Sequence, residues 1–190
     1  MSELDLPPYS LDVETLDLGP GVKAIGMELV ETENREPLRG PEAIAIWSAV
    51  LPALVAQESY VVDFFSHLDR VRDFCTGHKI MFREAAGHCI VVPQPSPEQL
   101  RGLLERFEGE TFGLRAGSKT RLPDPDLEGD LSRRGLDAYQ SAYTRYTFCV
   151  VCELEDGWLT ILSEALWPSE AIRRMRPALQ PFDVHIARPN

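Results

Sequence analysis

The chain predicts an α+β fold: a mainly antiparallel sheet built from a duplicated strand-strand-helix-strand unit, with an N-terminal helical hairpin. Three observations predict it. Short runs rich in β-branched and aromatic residues, such as those from His88 to Val92 and from Tyr146 to Leu154, recur between turn signals. Other stretches space their apolar residues three and four apart, the signature of one helix face. The order of these elements over 78–117 recurs over 146–190.

A chain of 190 residues is the length of one domain, and folding at that size buries roughly 70 % of the unfolded surface. Hydrophobic residues make up 44 % and charged residues 26 %, ordinary values for a chain that folds alone. The N-terminus lacks a basic, apolar leader and no apolar stretch approaches the ~20 residues that span a bilayer, so the expectation is a cytoplasmic protein of bacterial type. Cys75, Cys89, Cys149 and Cys152 sit within periodic apolar segments, which reads as reduced core thiols. Sixteen of the 19 basic residues are arginine, a bias expected of a GC-rich genome.

The net charge of −11 argues against nucleic acid and anionic lipid as partners, because the phosphate term would be repulsive. It favours a basic protein partner. Residues 1–36 carry nine acids against Lys23 and Arg35, whereas 168–190 carry Arg173, Arg174, Arg176 and Arg188 against Glu170 and Asp183. The molecule is electrically polarised.

Within the single domain, residues 1–20 read as an extended acidic arm around Pro7-Pro8, and 21–77 as a strand followed by the helical hairpin. The first helix starts near Pro41 and meets Pro52, a residue that kinks or splits helices; the second takes Ser59 as N-cap and ends at Thr76-Gly77. In the first repeat, a hairpin across Ala85-Ala86-Gly87 puts Glu84 opposite His88, Phe82 opposite Ile90 and Ile80 opposite Val92. A helix with Leu100, Leu103, Leu104 and Phe107 inward follows, then a strand from Thr111. The second repeat turns at Asp156-Gly157, forms a helix from Pro168 to about Arg176 and ends in a strand from Phe182. Residues 118–145 connect the repeats through an acidic loop (Asp124, Asp126, Glu128, Asp130) and a tyrosine group (Tyr139, Tyr143) that continues to Tyr146 at the start of the second repeat. Connections this long are often functional.

Cys149 and Cys152, with Cys75 and His78, supply four ligands of zinc-compatible type, but residues three apart in a strand diverge, so no zinc site is expected. The acidic loop begins like a calcium loop, yet its twelfth position is Gly135 instead of the bidentate glutamate. No metal or cofactor is expected. None of the nucleophile-elbow, zinc-protease, phosphate-loop or dinucleotide motifs accompanies His67, His78, His88 or His185. Function therefore reads as a non-catalytic binding module of the inhibitor, immunity or adaptor kind. Its partner-binding residues would be Asp124, Asp126, Glu128, Asp130, Tyr139 and Tyr143. The alternative is a small-molecule or enzymatic domain with a cleft between the repeats, lined by Glu84 and His88.

Overall fold

The computed structural model describes residues 7–17, 23–55, 59–64, 67–85, 89–106, 112–117, 148–153, 157–162 and 168–187. In chain order the elements are β1 (Tyr9–Asp17), β2 (Lys23–Glu31), α1 (Gly40–Leu54), β3 (Ser59–Phe64), α2 (Leu68–Gly77), β4 (Arg83–Ala85) and β5 (Cys89–Pro93). They continue with α3 (Pro97–Arg106), β6 (Phe112–Gly117), β7 (Phe148–Glu153), β8 (Trp158–Leu162), α4 (Pro168–Leu179) and β9 (Val184–Ile186). Among the described residues the strands form one nine-stranded sheet in the order β4-β5-β3-β6-β7-β8-β2-β1-β9. Among these strands every pairing is antiparallel except that of β1 with β9, so the fold is α+β with a mixed, predominantly antiparallel sheet.

The period-two pattern of β1 and β2 decides which face is covered. Leu11 and Val13 lie opposite Leu29 and Met27, all four buried, while the alternate positions Asp12 and Glu14 lie opposite Glu28 and Gly26. Onto the apolar face packs α1, whose Ile44, Trp47, Val50, Leu51 and Leu54 are buried at helical spacing. This helix in turn packs against both α3 and α4. Leu100, Leu103 and Leu104 from α3, and Ala171, Met175 and Leu179 from α4, complete the same core. Pro52, expected to kink or split this helix, falls within the last turn of α1, so the helix runs from Gly40 to Leu54 and most of its length lies before the backbone bond that the proline removes. Just beyond it, Arg174 of α4 donates from Nη1 to the Leu54 carbonyl at 2.8 Å, satisfying an acceptor that the helix end leaves open.

Three expectations are corrected. The helical hairpin is a helix–strand–helix segment: Ser59–Phe64 is β3, hydrogen-bonded between β5 and β6, and α2 starts only after His67, which adopts a left-handed φ of 47°. Val61, Phe64 and Leu68 fit helical spacing, but the run is β-branched and aromatic, and two neighbouring strands outweigh a local period. From Tyr9 to Asp17 the acidic segment is no separate arm but a strand inside the sheet order. In the first hairpin Glu84 pairs with Ile90 and Ala85 with Cys89, a register two residues away from the Glu84–His88 pairing. A slip of two keeps every side chain on its face, so apolar alternation cannot distinguish the two registers.

In the second hairpin β7 and β8 pair antiparallel. Gly157 takes a φ of +69° just before β8, a conformation that L side chains rarely adopt, and Leu29 donates its backbone N–H to the Gly157 carbonyl at 3.2 Å. Cys149 and Cys152 both lie in β7, as the strand reading requires.

Candidate functional site

The face of β1, β2 and β8 opposite the core carries a recess of about 330 Å³ lined by Asp12, Val13, Glu14, Glu28, Arg35, Trp158 and Ala187. Backbone register builds it. Asp12, Glu28 and Trp158 are successive cross-strand partners, and Glu14, Gly26 and Thr160 form the next row. Gly26 supplies the space for the indole: a Cβ there would stand 2.6 Å from Cζ2 and 2.9 Å from Cη2 of Trp158. The ring therefore lies against the backbone of β2, steadied by Nε1 donating to Thr160 Oγ1 at 2.9 Å.

Arg35 reaches the recess from the turn that follows β2. That turn is tightened by the Arg35 N–H donating to the Glu31 carbonyl at 3.0 Å and by Asn34, whose side chain donates to Glu31 Oε2 at 2.8 Å. Arg35 itself holds a left-handed φ of 61°. Its guanidinium pairs with Asp12 Oδ2, while Ser10 Oγ donates to Asp12 Oδ1 at 3.1 Å. With Arg35 55 % exposed the pair adds little to stability, so its interest lies in what it occupies. Burial, and then the charge of Asp12, push the Glu28 carboxyl above its ordinary range, with Glu14 adding to the rise and Arg35 opposing it. The recess thus gathers three carboxylates against one guanidinium on an aromatic floor. Such an arrangement attracts cations and can stack a planar one.

Of the residues expected to bind a partner, Asp124, Asp126, Glu128, Asp130, Tyr139 and Tyr143 lie outside the described residues, as does His88. Glu84 is in β4, at the opposite edge of the sheet from β9, and accepts from Arg72 Nε at 2.6 Å, an interaction that holds its carboxyl below the usual range. Arg72 also pairs with Asp69, so Glu84 belongs to a surface network tying α2 to β4. His78 stacks on Phe74 with ring centroids 4.0 Å apart. Burial pushes the Cys75 thiol up to about 11, which leaves it unreactive at neutral pH. Among the described residues no three His, Cys, Asp or Glu side chains are grouped to hold a metal ion, and no helix is long and apolar enough to cross a membrane.

Sequence reasoning missed the recess although its signal was present. As part of the acidic total of residues 1–36, Asp12, Glu14 and Glu28 show only a net charge, whereas their alternation with Leu11, Val13, Met27 and Leu29 marks one polar sheet face. A second concavity, of about 400 Å³, lies at the β9 edge between Pro7, Leu179, Val184 and Ile186. No protein-family model matches the chain, and neither does any curated protein or solved structure.

Proposed function

We propose that the chain is a non-catalytic protein-binding module of the inhibitor, immunity or adaptor kind, acting in the cytoplasm, whose acidic surface engages a basic partner. The observation that carries this reading is the recess in which Asp12, Glu14 and Glu28 crowd around Trp158 with one compensating arginine. Carboxylates on a sheet face repel one another, and a cationic partner relieves that repulsion on binding. In this reading the acidic loop with Asp124, Asp126, Glu128 and Asp130, and Tyr139 and Tyr143, extend the contact. Nucleic acid and anionic membranes are disfavoured by the same charge. A small-molecule site is the second reading, favoured by the recess volume, which falls in the range of ligand pockets.

We also read the architecture as repetition of one unit. The sequence β4, β5, α3, β6 is followed by β7, β8, α4, β9, and β1, β2, α1, β3 run in the same order, with α2 as an insertion; this succession supports the reading.

The test is affinity purification of the tagged protein from its native cells at low and high salt, beside a Glu14→Gln, Glu28→Gln double variant. Retention of a basic protein that weakens with salt and with the double variant supports the module. Recovery of a metabolite and no protein transfers the site to the second reading.

A further inference from the structure

We propose that the recess on the β1–β2–β8 face is a seat for one arginine side chain of the partner, its guanidinium flat on the Trp158 indole and hydrogen-bonded to Glu28 and Glu14. This rests on the binding-module reading and names the chemistry it would recognise. The first support is the floor: Gly26 leaves no side chain between the indole and β2, so the Trp158 ring lines a recess where a planar cation can stack. The second is that the wall of the recess already carries one guanidinium–carboxylate pair: Arg35, held in a left-handed conformation by its turn, bonds Asp12.

Arg35 neutralises only one of the three acids. Among the described residues neither Glu14 nor Glu28 takes an ion pair, so two carboxylates remain for an incoming cation. Arginine suits it better than lysine because its planar fork can stack on the indole and donate to two oxygens at once, and because it is the more weakly hydrated cation.

The probe is a tri-arginine peptide, with tri-lysine and tri-citrulline peptides as controls, followed through the indole N–H resonance of Trp158 in the full chain. Trp158→Phe assigns that resonance. Tri-arginine should shift it saturably, tri-lysine more weakly, and tri-citrulline, which is planar but uncharged, should leave it unmoved. Glu28→Gln should weaken the arginine peptide about five-fold. Arg35→Gln, which frees Asp12, should tighten it about three-fold. Native amide dispersion in each variant shows that the fold is intact. Equal shifts from citrulline, no Trp158 shift at saturating tri-arginine, or unchanged affinity in Glu28→Gln overturns the assignment. Salt-sensitive retention of a basic protein that survives Trp158→Thr keeps the module and refutes this seat. Tri-arginine binding as described, with no basic protein recovered from cells, keeps the seat and refutes the module.

Discussion

Replacing Gly26 with alanine tests the geometry on which the recess depends. The added Cβ would lie 2.6 Å from Trp158 Cζ2, 2.9 Å from Cη2 and 3.1 Å from Leu16 Cδ1, against the ~3.5–4.0 Å at which carbon atoms attract. The indole must retreat by roughly 1 Å, because the other side of the contact is the backbone of a strand paired on both edges. Forcing an extra methyl into such a contact costs about 1–3 kcal/mol. Loss of the Trp158–Thr160 hydrogen bond adds about 0.5–1.5 kcal/mol. Against this, alanine recovers about 0.5–1 kcal/mol of backbone entropy, since Gly26 is not in the left-handed region. The net expectation is a loss of about 0.5–4 kcal/mol, centred near 2, and at that centre a Tm lower by about 4–8 °C for a chain of this size.

Urea unfolding of Gly26→Ala, Trp158→Thr and the double variant separates the terms. If the ring is the obstacle, Gly26→Ala becomes neutral or stabilising once Trp158 is gone, with a coupling of about 1–3 kcal/mol. The denaturant slopes should stay constant, so that midpoints report stability. Equal effects of Gly26→Ala in both backgrounds would refute the contact and, with it, the indole floor.

Two pH experiments read the carboxylates with opposite signs. Glu28 lies above its ordinary value of 4.5 in the folded chain, so the native state binds more protons than the unfolded one and stability falls as pH rises through that window; Glu28→Gln should be the more stable form at pH 7, with the gap closing below pH 4.5. Glu170 is held down to about 2 by Arg173 and Arg174, so its contribution is present above pH 4.5 and is lost as pH falls towards 2; Glu170→Gln should flatten that acid limb, read by urea midpoints across pH.

Where one local rule acted alone, the sequence read correctly. Leu100, Leu103 and Leu104 keep helical spacing with few competing partners and are buried in α3. Gly157, just before β8, takes a positive φ that few other residues adopt. Ser59–Phe64 failed because its helical spacing and its strand composition disagree, and the choice was made by β5 and β6, segments distant in sequence. The recess was hidden for a related reason. Trp158 is more than 120 residues from Asp12, Glu14 and Glu28, and only the β1–β2–β8 register brings them into rows.

The acids of β1 have a competing explanation that Glu28 resolves. Among the described residues β9 pairs only with Tyr9–Leu11, leaving Asp12–Asp17 without a strand on that side, and charges along such an edge deter pairing with other chains. Asp12 and Glu14 could be retained for that purpose alone. Glu28 could not, because β2 is paired along its length by β1 and across Ala24–Glu28 by β8. A carboxylate there guards no edge. It adds repulsion against Asp12 and Glu14 and bears a desolvation cost that a threonine at the same position would avoid. Edge protection is thus compatible with the acids of β1 without displacing their role in the proposed seat, whereas Glu28 beside Trp158 has no edge to protect and is the acid whose position distinguishes the two explanations.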